Sequence, residues 1–273
     1  MAVLFSILVI PEAEAGEAVA SEAYPVAIEL VRPGREGLEL TARLTEDSPI
    51  LERNLSWTVS SADGKPILMS EGGGVDVSVP PGDYLVDAQY GAAKISRIVS
   101  LPQAGRMMVS LVMNAGGLRV IARGSDKAPP SSPVHVRVFT LEGNEPGRLI
   151  ASNAGTGEII RLPQGTYRVE ARAGRGNAAA VTDVEVKPGR LSTIRVALKA
   201  GLARLSFVGS PTAQVRWNVE DENGDAVAVQ SGLTADVALL PGTYTAKAEV
   251  GSERLTATFR IAAGEARDIM LGN

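Results

Sequence analysis

The only histidine of the chain, His135, is the first residue to consider for catalysis, because imidazole can act as a general base near neutral pH. It lies in the run VHVRV at 134–138, where valines alternate with polar residues. This alternation predicts a strand whose valines face inward and whose His135 faces solvent. The chain also has no cysteine and no G-x-S-x-G motif, so no nucleophilic triad can be assembled. We therefore predict no catalytic residues, no cofactor and no enzymatic activity.

The acidic run DENGD at 221–225 is the candidate for metal binding. Three residues with side-chain oxygens alternate in it: Asp221, Asn223 and Asp225. Oxygen ligands alternate in this way in calcium loops, but Ala226 and Gly232 stand where such a loop needs Gly and Glu. A type I′ hairpin turn, with positive φ at both Asn223 and Gly224, accounts for the same residues. The two interpretations are a turn and a weak calcium site, the latter implying a calcium- or carbohydrate-binding protein.

Positive charge is concentrated in the middle of an acidic chain. The whole chain has a net charge of −4, yet residues 117–200 contain 13 Lys and Arg against 7 Asp and Glu, a net charge of +6. We predict a binding face from four arginines: Arg161, Arg168, Arg172 and Arg175. Guanidinium groups pair with carboxylate and phosphate, so the expected partner is an anionic glycan, a lipid head group or an acidic envelope protein. There are two alternatives: the arginines form a face that is only solvated, or they dock against the acidic segments on either side.

Nucleic acid is not an expected partner of this chain. Its net charge is negative, which disfavours binding to phosphates, and no exposed aromatic residues alternate with the arginines to stack on bases.

The first ten residues, MAVLFSILVI, form an apolar run that is shorter than the ~20 residues of a membrane-spanning helix. A-x-A sequences follow at 13–15 and 18–20, so residues 1–20 are predicted to be a secretory signal peptide. A buried first strand is the alternative. The signal peptide predicts a secreted, periplasmic protein that does not span a membrane, and residues 21–36 are expected to add a strand to the first domain.

A repeat of about 80 residues organises the rest of the chain. Gly-Leu dipeptides at 37, 117 and 201 open three segments, and each segment carries a Pro-Gly turn followed by a tyrosine-containing strand. Trp57 and Trp217 each precede that tyrosine by 27 residues, while Val136 takes the place of tryptophan in the middle segment. The short apolar runs and Pro-Gly punctuation predict antiparallel β-sandwiches over 37–116, 117–200 and 201–273.

The pattern aliphatic-Pro-x-Gly-x-Tyr-x-Val-x-Ala, followed by a Gly-containing turn and Val-x-Leu, resembles the carboxypeptidase regulatory-like and transthyretin-like, Ig-like repeats of bacterial envelope proteins. The resemblance covers residues 37–273 and implies a fold, not an activity. We therefore predict three tandem antiparallel Ig-like β-sandwich domains in a non-enzymatic envelope protein. It would bind an anionic component through the middle domain, or serve as a spacer or subunit of an envelope assembly. Short linkers at 114–116 and 199–200 predict a semi-rigid rod.

Overall fold

The computed structural model describes residues 26–124 and 133–272, except for the side chains of Val26 and Asn153. All regular structure in these residues is β-strand, and the strands form three successive sandwiches of two sheets each. The all-β class and the tandem sandwiches predicted from the sequence are therefore confirmed. The predicted signal peptide, residues 1–20, lies outside the described residues.

Sandwich 1 consists of a four-stranded sheet with the order β4-β3-β6-β7 and a second one with the order β1-β8-β2-β5. The strands are β1 Val26–Leu30, β2 Gly37–Arg43, β3 Leu55–Ser61, β4 Pro66–Gly72, β5 Val75–Val77, β6 Gly82–Tyr90, β7 Ala93–Leu101 and β8 Gly105–Val112. β1 pairs with β8 and so covers an edge that the other two sandwiches leave open among the described residues.

Sandwiches 2 and 3 each combine a four-stranded and a three-stranded sheet. In sandwich 2 the orders are β11-β10-β13-β14 and β12-β9-β15, and in sandwich 3 they are β18-β17-β20-β21 and β19-β16-β22. The strands of sandwich 2 are β9 Ala115–Arg123, β10 Val134–Glu142, β11 Glu145–Gly155, β12 Ile159–Pro163, β13 Gly165–Ala173, β14 Ala179–Val186 and β15 Leu191–Ala197. Those of sandwich 3 are β16 Gly201–Val208, β17 Val215–Glu220, β18 Ala226–Ser231, β19 Thr234–Leu239, β20 Gly242–Val250, β21 Glu253–Ile261 and β22 Ala266–Gly272.

One strand pair in each sandwich is parallel, which corrects the expectation of purely antiparallel sheets. These pairs are β2 with β8, β9 with β15, and β16 with β22. In each sandwich the parallel strands are the one that opens the repeat and the one that closes it. Alternation with period two shows which side chains of a strand face the core. The alternation is the same whether the neighbouring strand runs parallel or antiparallel, so the sequence pattern could not distinguish the two kinds of pairing.

The repeated tyrosine fixes the corner where the chain crosses from one sheet of a sandwich to the other, between β5 and β6, β12 and β13, or β19 and β20. Tyr84, Tyr167 and Tyr244 are almost fully buried. Each hydroxyl donates a hydrogen bond to the carbonyl oxygen four residues earlier: Pro80 at 2.5 Å, Pro163 at 2.9 Å and Leu240 at 2.9 Å. Burial raises the pKa of Tyr84 and of Tyr167, because the charged phenolate would lose hydration. The motif is therefore a tyrosine corner, as found in Ig-like sandwiches.

The tryptophans fill the centres of the first and third cores. Both side chains are buried, and each indole N–H donates to a glycine carbonyl, Trp57 to Gly73 at 2.7 Å and Trp217 to Gly232 at 2.9 Å. Val136 is equally buried in sandwich 2. The neighbouring Phe139 does not replace the missing indole, because its side chain lies on the other face of β10. There its ring centre is 4.8 Å from Cζ of Arg137.

Backbone hydrogen bonds join neighbouring sandwiches. Between sandwiches 1 and 2, the N–H of Ala92 donates to Arg161 O at 2.9 Å. Between sandwiches 2 and 3, the N–H of Ala238 donates to Arg175 O at 2.8 Å, and Ala238 also belongs to the hydrophobic core of sandwich 2. Asn177 adds a side-chain contact, its Nδ2 donating to the hydroxyl of Tyr244 at 3.1 Å. These contacts favour semi-rigid joints between neighbouring sandwiches, and the rod shape stays a prediction.

Candidate functional site: a basic face on sandwich 2

The four arginines predicted to form one face lie on two different sheets. Arg168 and Arg172 point outward from β13 in the larger sheet, and Arg175 lies in the turn after that strand. Arg161 lies on β12 in the smaller sheet. The grouping of Arg161 with the others is therefore wrong, because the corner at 163–165 takes the chain from one sheet to the other.

Arg168 is neutralised within its own sheet. Its Nε and Nη2 donate to the two carboxylate oxygens of Asp183 at 2.8 and 2.9 Å, and its Nη1 donates to Asn144 O at 2.6 Å. The hydrogen bond from Arg168 lowers the pKa of Asp183, and the same bond raises the pKa of Arg168. A bidentate pair of this kind leaves little of the guanidinium for an external anion.

The Arg168→Ala variant tests this pairing. We expect the pKa of Asp183 to rise towards its ordinary value, because the hydrogen bond that favours the carboxylate is lost. The contribution of the pair to stability is present above the unfolded-state pKa of Asp183 and is lost as the pH falls through the lowered folded-state pKa. A carboxyl carbon NMR titration measures the shift, with Arg175→Ala as the control that leaves it unchanged. An unchanged titration in Arg168→Ala would show that the pair does not form.

Arg172 is also paired within the domain. Its Nη2 donates to Glu170 at 2.7 Å and its Nη1 to Gly176 O at 3.0 Å, while Arg137 approaches the same carboxylate at 3.5 Å. The outer face of the larger sheet is thus a network of alternating charges.

A second set of arginines shares the outward face of the smaller sheet, which we call the basic face. Its members are Arg119 and Arg123 on β9, Arg161 on β12 and Arg195 on β15. Arg119 stands opposite Ile159 on one side and Thr193 on the other, and Arg195 stands opposite Ile121. Successive arginines are therefore diagonal neighbours on adjacent strands, and the backbone spacing of such neighbours is about 7–8 Å. They form one stripe in the order 161, 119, 195, 123.

The guanidinium groups of the basic face have no acidic partner. Within the described ranges, the structure gives none of the four side chains a hydrogen bond or an ion pair. The buried Nε atoms of Arg119 and Arg161 are left without an acceptor, and the guanidinium of Arg161 instead lies 5.3 Å from the ring centre of Tyr90. The other outward positions of the three strands hold small, hydroxyl or aliphatic residues, including the half-exposed Ile159 and Leu191. Leaving buried N–H groups unsatisfied is costly, so these two arginines occupy their positions without a compensating acceptor among the described residues.

The same face is balanced in the other two sandwiches. In the register of the parallel pairs, the position of Arg119 is occupied by Glu39 in sandwich 1 and by Arg204 in sandwich 3. Arg204 lies opposite Asp236 on β19 and 3.8 Å from Asp268 on β22, whereas in sandwich 1 Arg106 pairs with Asp76. In sandwich 1, Arg43 at the position of Arg123 donates to Ser48 O. Among the described residues, only sandwich 2 thus has a stripe of several arginines without acidic partners on this face.

The remaining candidates from the sequence are a histidine on β10 and the acidic run after β17. His135 is exposed, which confirms that it faces solvent. In the run 221–225, Asp221 Oδ1 accepts the backbone N–H groups of Asn223 at 2.9 Å and Asp225 at 3.0 Å, and so closes a turn. Only Gly224 has positive φ there, so the predicted type I′ turn is wrong. No group of three or more His, Cys, Asp or Glu suited to a metal ion occurs in the residues that the structure describes.

The site residues predicted from the sequence did not include Arg119, Arg123 and Arg195, although the alternation of polar and aliphatic residues around them predicts that they point outward. In LRVIAR at 118–123 and TIRVAL at 193–198 the arginines alternate with aliphatic residues. Their meeting on one face depends on the parallel pairing of β9 with β15, which no local pattern encodes.

Comparisons with known proteins give one family match. Residues 207–272, about a quarter of the chain, match the Rhizobiales growth-associated tandem repeat domain. The match supports a tandem-repeat organisation, and the carboxypeptidase regulatory-like resemblance stays an expectation. No curated protein matches the chain. The described residues contain no helix of the kind that spans a membrane.

Three solved structures are similar to the chain at low identity. A streptococcal ancillary pilin has a TM-score of 0.32 and 15% identity, with 87% of this chain and 98% of that one covered. The minor pilin GBS52 of Streptococcus agalactiae has a TM-score of 0.30 and 17% identity, with 58% and 95% covered. The Bacillus anthracis TIE protein has a TM-score of 0.27 and 16% identity, with 87% of this chain covered, and the chain spans 50% of that protein. These values are too low for function to be transferred.

Proposed function

We propose that the protein is a non-enzymatic interaction module of the bacterial envelope that binds an anionic partner through the basic face of sandwich 2. The observation that carries the proposal is the stripe of four arginines on one sheet face, none of which has an acidic partner among the described residues. A periplasmic location accords with the signal peptide predicted from the sequence. The binding role moves from the face of Arg168 and Arg172, which are already paired, to the opposite sheet.

The geometry of the stripe favours a ligand with repeated negative groups. Arginines at successive diagonal positions of a sheet, where the backbone spacing is about 7–8 Å, can each meet one carboxylate or phosphate of a chain or layer of anions. The half-exposed Ile159 and Leu191 beside them add apolar contact area. A polymer of uronic acids and a membrane rich in phosphatidylglycerol both offer this chemistry, so the test must distinguish the two.

The decisive experiment compares charge reversal on the basic face with an equal reversal elsewhere. The test variant is Arg123→Glu with Arg195→Glu, and the control is Arg216→Glu with Arg260→Glu on sandwich 3. All four side chains are exposed and, among the described residues, make no hydrogen bond or ion pair, so the change in net charge is matched. Arg216 stands opposite Glu249, so the folding of both variants is checked by circular dichroism before binding is measured. Binding to polygalacturonate and to phosphatidylglycerol vesicles is measured at low and moderate salt.

We expect the test variant to bind at least about tenfold more weakly to one probe, because two charge-assisted contacts become repulsive. The control is expected to stay within about twofold of the wild type, since only long-range charge changes. The probe that responds identifies glycan or lipid. Equal loss in both variants would reduce the interaction to net charge and overturn the proposal.

A structural spacer is the second candidate function. It is favoured by the hydrogen bonds that join neighbouring sandwiches, such as Ala92 to Arg161 and Ala238 to Arg175. Failure of the wild type to bind either probe would make it the leading interpretation.

A further inference from the structure

The joint between sandwiches 1 and 2 is made by a two-residue turn. Tyr90 pairs with Ala93, and the turn between them places Gly91 against β12. The N–H of Ala92 donates to Arg161 O at 2.9 Å. A Cβ on Gly91 would lie 2.5 Å from Cβ of Arg161, so the contact is close enough to require glycine.

The joint between sandwiches 2 and 3 uses the same receiving position. Arg161 and Ala238 each lie two residues before the carbonyl that accepts the tyrosine hydroxyl, Pro163 in one sandwich and Leu240 in the other. Ala238 exchanges backbone hydrogen bonds with the turn after β13: its O accepts from Ala178 at 3.3 Å and its N–H donates to Arg175 O. The residue is 1% exposed. At both joints, therefore, a turn of one sandwich docks at the same strand position of the following sandwich.

Both halves of this contact recur in sandwiches 3 and 1, where no other described residue occupies them. In sandwich 3, Val250 pairs with Glu253 around a turn of the same length as that of sandwich 1. Its Gly251 has φ of 59°, against 63° for Gly91, but a Cβ there would meet nothing within 4 Å. In sandwich 1 the receiving position is Ser78, two residues before Pro80, and it is exposed.

We propose that the turn Gly251–Ser252 of one molecule docks at Ser78 of a second copy, so that molecules associate head to tail. The contact would repeat the two joints inside the chain, and because the surfaces on the two partners differ, the association would be open-ended. Inside the chain the linker holds the partners at high local concentration. Between molecules the same small contact is therefore expected to be short-lived, and a trapping experiment suits it.

Disulfide trapping tests the proposal, since the chain has no cysteine of its own. Ser252→Cys and Ser78→Cys variants, made with tags of different size, are mixed in equal amounts without any polyanion and oxidised mildly. Random collision gives the mixed dimer twice as often as either homodimer. We expect the mixed dimer to exceed each homodimer by about tenfold or more, and Ser231→Cys, an exposed serine on β18, to show only random pairing with Ser78→Cys.

A second variant separates docking from general reactivity. Gly251→Val in the Ser252→Cys protein is expected to abolish the excess, because a side chain there would meet the partner as a Cβ on Gly91 would meet Arg161. Gly224→Val imposes similar backbone strain at another exposed turn of sandwich 3, where a Cβ also meets nothing, and should leave the excess intact. Random pairing by the Ser252→Cys and Ser78→Cys mixture would overturn the proposal.

Discussion

Replacing Trp217 by alanine is expected to lower the free energy of unfolding of sandwich 3 by about 3–5 kcal/mol, the usual cost of truncating a buried tryptophan. The indole is fully buried and its N–H donates to Gly232 O at 2.9 Å, so the variant loses both the packing and the bond. A domain of this size has a small margin of stability, so much of it would be lost.

The two tryptophans lie in different sandwiches, so fluorescence can distinguish the unfolding of sandwich 1 from that of sandwich 3. Trp57 is the only tryptophan that remains in Trp217→Ala, and it lies in the core of sandwich 1. In a urea titration, its fluorescence should keep the wild-type midpoint of sandwich 1, while far-ultraviolet circular dichroism should show part of the strand signal lost at lower urea. A single unshifted transition by both probes would contradict the expectation.

Replacing Gly176 by valine is expected to open the joint between sandwiches 2 and 3. A Cβ on Gly176 would lie 2.1 Å from Ala238 O, a backbone atom that cannot move aside, and the residue has a φ of 134°, which disfavours any side chain. The hydrogen bonds around Ala238 and the contact of Asn177 with Tyr244 should be lost with it.

Trypsin cleavage after the exposed Lys199, in the linker between the two sandwiches, reports this opening. We expect cleavage to be about tenfold faster in Gly176→Val, since a contact worth about 1.4 kcal/mol changes an opening equilibrium tenfold. Gly157→Val is the matched control, because Gly157 has a φ of 87° and a Cβ there meets nothing within 4 Å. Equal acceleration in both variants would assign the effect to backbone strain rather than to the joint.

The local sequence determined which residues form the cores. The alternation around Tyr84, Tyr167 and Tyr244 predicted the buried side of the central strands, and those tyrosines are buried. Trp57 and Trp217 marked the matching strands of the first and third repeats. These features are readable because a strand half buried in a sandwich imposes a period of two on its own residues, and a repeat shows the same solution three times.

Only the tertiary structure decided which arginines share one face of a sheet. Arg161 and Arg168 are seven residues apart but lie on different sheets, while Arg119 and Arg195 are distant in sequence and are brought together by the parallel pairing of β9 and β15. Pairing between strands is settled by how whole sheets cover one core, and partners such as Asp183 for Arg168 follow from it. The sequence by itself therefore determined the fold class and the excess of positive charge in the middle repeat. The arrangement of the sheets decided which of those charges have an acidic partner among the described residues and which do not.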